Sequence, residues 1–182
     1  MANITLAVTG SISAYKAADL TSQLTKLGHQ VTVLMSRSAM DFITPLTLQS
    51  LSKNLVHTDV MIEENPTLIK HIDIAKETDL FLLAPASANT IAKLANGMAD
   101  NIITATALAL PIGTKKLLAP AMNTNMYLNP ATKKNIKTLM EYGFEEIKPR
   151  EALLACGDFG TGALAEVTDI LEKVSNTLDE KK

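Results

Sequence analysis

This sequence has one cysteine, no run of lysine or arginine longer than a pair, and no apolar stretch approaching the roughly 20 residues that cross a bilayer. Each scarcity excludes something. A lone thiol, Cys156, closes no internal disulfide, which leaves a buried filler, a reactive group or an accident. Basic pairs such as Lys115-Lys116 and Lys133-Lys134, set against 17 basic and 19 acidic residues in all, offer no patch for nucleic acid or an anionic membrane. The opening "MANITLAVTG" has neither a basic segment nor a long apolar one, so a cytoplasmic, soluble protein is expected. With no G-x-G-x-x-G and no Walker lysine pattern, a dinucleotide or a nucleoside triphosphate is disfavoured. Repeats, linkers, low-complexity segments and a metal-ligand pattern are also missing.

What remains is a chain of 182 residues, 47% hydrophobic, suited to one compact domain at roughly 100 to 200 residues per domain. Ile4 to Val8 reads as a buried strand running into Thr9-Gly10-Ser11 and then into "AYKAADLTSQLTKLG". There Ala17, Leu20, Leu24 and Leu27 recur at helical spacing, and Gly28 suits the position just past the helix end. "HQVTVLMS" is a second strand, after which Thr44 and Pro45 open the helix "TPLTLQSLS". Leu80 to Ala84 is a continuous apolar strand ended by Pro85, followed by helical patterns in "NTIAKLANGMA" and "DNIITATALAL". Lys116 to Ala119 is a further strand, Asn129-Pro130 starts a helix, "GFEEIK" is a weak last strand, and Glu166 to Asn176 is a closing helix with a frayed tail from about residue 177. Strands alternating with helices imply an α/β protein: a doubly wound parallel sheet with helices on both faces, a three-layer sandwich of the Rossmann or flavodoxin kind. Leu153 to Glu166, "LLACGDFGTGALAE", stands apart as too rich in glycine and alanine to pack as helix or strand.

In such sheets ligands bind beyond the carboxyl ends of the strands. Three strand ends carry small polar residues: "TGSIS", "SRSA" and "PASANT". Gly10 lets the backbone turn closely, while Ser11, Ser13, Ser87, Asn89 and Thr90 offer hydroxyl, amide and helix N-terminal N–H donors suited to a phosphate. Helix capping explains one such loop; three at one sheet edge favour a ligand, and a mononucleotide fits best. Asn123, in "PAMNTNM", lies in a stretch with little helix or strand tendency, so its amide can face the same edge, whereas Met122 and Met126 read as gap-filling core residues. His71 precedes an amphipathic turn, and spacing alone does not separate it from His29 and His57, which read as surface or satisfied core residues.

Five segments in order resemble the flavin-containing cysteine decarboxylases over nearly the whole chain: "GSISAYK", "KHIDIAKETDL", "APASANTIAKLANGMADNI", "APAMNTNMY" and "LACGDFGTGALAE". The resemblance implies FMN as cofactor, assembly as a homotrimer or a multiple of trimers such as a dodecamer, and a flavin at a subunit boundary served by neighbouring chains. The "ACG" segment resembles the branch that acts on 4′-phosphopantothenoylcysteine, in a stand-alone form whose synthetase partner is a separate protein. The reaction so implied yields 4′-phosphopantetheine and carbon dioxide on the route to coenzyme A. An N-acylated cysteine loses carbon dioxide only with an electron sink. The resemblance implies that flavin provides one, by oxidation of the CH2–SH group to a thioaldehyde, with later return of the hydride and delivery of a proton to carbon.

Residue by residue, the resemblance makes His71 the base or polar partner of the oxidative step, a role suited to imidazole. It makes Asn123 the hydrogen-bond donor to the substrate carboxylate or amide, and Cys156 the proton donor when the enethiol is reduced. The candidate FMN contacts are Gly10, Ser11, Ile12, Ser13, Ser36, Ser38, Ser87, Asn89, Thr90, Ala105 and Met122. Gly157, Gly160 and Gly162 let their segment act as a mobile flap, and Asp158, if close, holds the thiol in its protonated form. Fused bacterial relatives carry "GxGRM" where this chain has Gly160-Thr161-Gly162-Ala163-Leu164, so an arginine is missing where the flap meets phosphate or flavin. The alternatives are a peptidyl-cysteine decarboxylase of lantibiotic type, a flavin prenyltransferase and a non-catalytic flavin-binding regulatory subunit. Retention of Cys156 in its flap weighs against each.

Overall fold

Apolar strands with helical segments between them generate a single parallel sheet. In the computed structural model, which describes residues 1–62, 67 and 69–180, the strands are β1 (Asn3–Val8), β2 (Gln30–Met35), β3 (Val56–His57), β4 (Leu80–Ala86), β5 (Lys115–Pro120) and β6 (Phe144–Glu146). Their order is β3-β2-β1-β4-β5-β6, all parallel, which is the Rossmann order and not the flavodoxin one. The chain reverses direction across the sheet between β1 and β4, and a crevice opens at that switch point. The helices are α1 (Lys16–Lys26), α2 (Pro45–Ser52), α3 (Lys70–Glu77), α4 (Ala88–Ala95), α5 (Ile102–Ala109), α6 (Thr124–Leu128), α7 (Pro130–Glu141) and α8 (Val167–Asp179). A separate antiparallel hairpin, β7 (Arg150–Leu153) and β8 (Phe159–Ala163), stands outside the main sheet.

The period of two along a strand divides each apolar run between two cores. Leu80, Leu82 and Ala84 join Leu6, Val8 and Val33 on one face, against Leu20 and Leu24 of α1 and Ile170 and Val174 of α8. Phe81 and Leu83 join Ala7, Leu34 and Leu118 on the other, against Ile91 of α4, Ile103 of α5 and Leu139 of α7. Full burial of each such leucine is worth about 1.5–3 kcal/mol, so the two cores hold the strand ends rigidly beneath the loops. Local chemistry agrees at the start of α2, where Thr44 accepts the N–H of Thr47 and Pro45 takes the first helical position.

Some boundaries differ from the sequence expectation. Leu27 is exposed, because α1 ends at Lys26 and Leu27 only caps it. Strand β4 does not stop at Pro85: it continues through a cis Ala84-Pro85 peptide to Ala86, with a register shift against β5 that accommodates the missing N–H. Helix α8 runs to Asp179, past the onset of the expected fraying, because Val174 and Thr177 are still buried against the sheet. Lys181 and Lys182 of that tail lie outside the described residues. Among the described residues no helix is long and apolar enough to cross a membrane.

Candidate active site

Strands β1 and β4 end side by side, latched by Thr9. Its buried hydroxyl donates to the Pro85 carbonyl at 2.5 Å and accepts the Ser87 N–H at 2.8 Å. Gly10 follows because nothing larger fits: a Cβ there would lie 2.4 Å from Ser38 Oγ and 2.7 Å from Ser38 Cβ. Ser11, Ser36 and Ser87 each cap the helical turn that follows, accepting the N–H groups of Ser13, Ala39 and Thr90. Capping therefore applies at all three strand ends, and it fixes where these loops run.

A cavity of about 440 Å³ opens over these loops, closed on one side by the hairpin. Gly10, Ser11, Ile12, Ser13, Ser87, Met122, Asn123 and Cys156 line it. Ser36 and Ser38 are hydrogen-bonded to each other at 3.1 Å behind Gly10, Asn89 is exposed on α4, and Thr90 and Ala105 are buried in α4 and α5; none of these is on the wall. His71 is not there either. It sits in the first turn of α3, with Nδ1 buried and lacking a hydrogen-bond partner among the described residues. Met126, read as a core residue, is half exposed and lines the cavity.

The glycine-rich segment is ordered as a strand, contrary to the sequence reading. Phe159–Ala163 pairs with Arg150–Leu153, and its glycines serve close approach. Met122 N–H donates to the Gly162 carbonyl at 2.9 Å; a Cβ at Gly162 would lie 2.2 Å from Met122 O, and one at Gly160 2.6 Å from Thr124 Oγ1. The lack of side chains thus docks the hairpin on "PAMNTNM". Its turn is closed by Leu154 N–H to Asp158 O at 2.8 Å and Gly157 N–H to Leu154 O at 2.9 Å, which presents Cys156 at the exposed tip.

Three side chains meet at that tip. Asn123 caps α6, its Oδ1 accepting the Asn125 N–H at 2.8 Å, and this turns Nδ2 toward Cys156 Sγ at 3.3 Å. The Cys156 thiol in turn donates to Asp158 Oδ2 at 3.3 Å. Amide, thiol and carboxylate form one donor chain, and the second amide proton of Asn123 is left for a ligand. Buried Tyr127 anchors the turn from below: its N–H donates to the Asn123 carbonyl at 3.0 Å and its hydroxyl to Glu146 Oε1 at 2.9 Å. Burial, followed by the Glu146 contact, pushes that phenol well above its ordinary range.

Two functional candidates escaped the sequence reading. Lys16 and Arg150 also line the cavity. Lys16 lies within "GSISAYK", where it reads merely as helix, and Arg150 stands in no motif at all. The hairpin register pairs Arg150 with Ala163, the position of the missing flap arginine, so a guanidinium enters from the opposite strand. Hydroxyl and amide donors, two cations and the apolar side chains of Ile12, Ala121 and Met122 make a wall that fits a phosphate-bearing flavin.

The chain matches the Flavoprotein family over residues 1–179 and belongs to that family. Within it, the chain is 59% identical over 175 residues to a probable phosphopantothenoylcysteine decarboxylase of Streptococcus mutans, covering 96% of this chain and 98% of the relative. It is 48% identical to the coenzyme A biosynthesis bifunctional protein CoaBC of Bacillus subtilis, covering 93% of this chain and 41% of that longer relative. Among solved structures, a PPC decarboxylase mutant complexed with pantothenoylaminoethenethiol matches with a TM-score of 0.90 and 31% identity over 98% of both chains. The FMN binding protein AtHal3 matches at 0.86 and 31% identity, over 98% of this chain and 97% of the other.

Proposed function

We propose that this chain decarboxylates 4′-phosphopantothenoylcysteine to 4′-phosphopantetheine in coenzyme A biosynthesis, with FMN as its flavin and residues 1–182 acting as one domain. The observation that carries this reading is the contact of Asn123 Nδ2 with Cys156 Sγ, which puts a carboxylate-binding amide and a proton donor at one point of the cavity wall. The 59% identity to the streptococcal relative supports the substrate.

Bound flavin supplies the reversible two-electron oxidation of the substrate CH2–SH group that lets the adjacent carboxylate depart. Asn123 holds that carboxylate through its second amide proton, and its capped Oδ1 sets the direction of the donor. A neutral donor orients the carboxylate without a full positive charge that would oppose its loss. Ile12 and Met122 keep the reacting carbon against apolar wall. After carbon dioxide leaves, Cys156 gives its proton to the enethiol carbon. Asp158 Oδ2 accepts a hydrogen bond from the thiol until then, and the exposed tip lets the sulfur regain a proton from water.

His71 belongs to this reaction through a second copy of the chain. Its Nδ1, without a partner among the described residues, and the exposed apolar side chains of Ile62, whose carbonyl accepts from Lys70 Nζ, and of Ile69 support a homotrimer in which His71 faces a neighbour's flavin. The flavin-loaded protein, incubated with 4′-phosphopantothenoylcysteine and followed by mass spectrometry, is expected to release carbon dioxide and 4′-phosphopantetheine. Cys156→Ser is expected to stop at the oxidised, decarboxylated enethiol. A wild type that itself stops there, or that prefers a peptide ending in cysteine, would falsify the assignment in favour of a peptidyl-cysteine decarboxylase.

A further inference from the structure

The charges on the cavity wall are of one sign. Lys16 and Arg150 line it, and no aspartate or glutamate does. Behind them one carboxylate serves both: Glu166 Oε2 lies 3.4 Å from Lys16 Nζ, and Glu166 Oε1 lies 3.0 Å from Arg150 Nε. Arg150 Nε also donates to the Leu164 carbonyl at 3.2 Å. Both contacts use Nε, so the outer edge of the guanidinium makes no hydrogen bond among the described residues. Lys16, with a side chain only 18% exposed, likewise has donors left over. Two cations that share one carboxylate and keep free donors on one cavity wall favour an anion with several acceptor oxygens.

The position along the hairpin says which end of a ligand this anion occupies. Arg150 starts β7, whereas Cys156 lies in the turn beyond Leu153. The three residue steps of β7 alone span about 10 Å along the strand, so on the hairpin Arg150 and the Cys156 proton donor stand at opposite ends, and the carboxylate that must depart is served by the neutral Asn123 amide while the cations are left for a second anion. We propose that Lys16 and Arg150 form a phosphomonoester site for the far end of the substrate, with Glu166 as the positioning residue that sets the two cations side by side. This rests on the decarboxylase reading above. The flavin carries a phosphomonoester too, so the test must separate the two sources.

Steady-state decarboxylation by the flavin-loaded protein is measured with 4′-phosphopantothenoylcysteine and with its unphosphorylated counterpart. Wild type is expected to favour the phosphorylated thiol by about 10- to 100-fold in KM, the range of charge-assisted hydrogen bonds. Arg150→Gln and Lys16→Gln are each expected to cut that preference about tenfold, through KM and not kcat. Lys16→Arg should keep it, and Arg150→Lys, which retains charge but loses the planar edge, should keep only part, so the comparison survives if a glutamine variant fails to fold. In a parallel arm, the ratio of FMN to riboflavin affinity is measured by fluorescence and is expected to be the same in wild type and variants. A ratio that collapses in the variants would assign the cations to the flavin phosphate and overturn the proposal. So would a wild type indifferent to substrate phosphorylation, or variants that keep the preference, with the decarboxylase reading left standing. A wild type that decarboxylates neither thiol overturns both.

Discussion

Cys156 owes its chemistry to neighbours that the turn brings to it. An exposed cysteine at the tip of a hairpin is ordinarily an accessible thiol with no task. Here the Asn123 amide donates to its sulfur while the thiol donates to Asp158, so the proton has a defined direction. Asn123→Asp keeps the size and cap of the side chain but sets a carboxylate against the substrate carboxylate. Its kcat for carbon dioxide release is expected to fall by about 10²-fold or more; near-wild-type release would remove Asn123 from the site. Gly162 shows the same dependence on a neighbour. Gly162→Ala forces a Cβ to within 2.2 Å of Met122 O, and the hairpin must lift. A cost of about 1–3 kcal/mol is expected, read as a Tm lowered by several degrees together with slower turnover.

At the scale of elements, local signals and packing agree in most of the chain. Helix α5 opens on a capping box in which Asn101 accepts the N–H of Thr104, while the Thr104 hydroxyl accepts the N–H of Asn101. Asn101→Ala is expected to cost about 1 kcal/mol, measured as a shifted urea midpoint with an unchanged m-value; no shift would mean that the packing of Ile102 and Ile103 alone holds the helix start. The apolar runs of β1, β2 and β4 and the Thr44-Pro45 signal were legible because they depend on neighbours a few residues apart. The hairpin was not. Its strand β8 reads "FGTGA", which has little strand tendency, and it forms because its glycines permit a close approach to residues about 40 positions earlier in the chain.

For the whole molecule, two properties should be measurable. If His71 serves a neighbour's flavin, a variant lacking His71 and one lacking Cys156 are each inactive alone but regain activity when dissociated and reassembled together. A site contained in one chain regains none. The second property is a stability that depends on pH through Lys116. Burial lowers this ammonium from its ordinary 10.5, while Nζ donates to the Tyr142 carbonyl at 2.6 Å and lies 5.5 Å over the Phe144 ring. The folded chain therefore releases that proton before the unfolded chain does. Stability carries the full cost below the lowered value and rises with pH between it and 10.5. Urea melts of wild type and Lys116→Met between about pH 8 and pH 10 should converge or diverge accordingly, with the rise present only in wild type; parallel curves would show that Lys116 bears no such cost.

The sequence by itself determined the α/β class, the strand-end loops, the starts of six of the eight helices among the described residues and the resemblance that singled out His71, Asn123 and Cys156. Those features rest on periodicity, capping chemistry and motifs contained in short windows. Only the tertiary structure decided that Asn123 and Cys156 touch and that His71 lies away from their cavity. It also decided that Thr90 and Ala105 are buried away from the wall of that cavity, and that Lys16 and Arg150, 134 positions apart, share one carboxylate. These facts depend on how a hairpin outside the sheet docks across the β1/β4 switch point. That docking is governed by van der Waals clearance at glycines and by charge pairs between distant segments, neither of which leaves a local pattern.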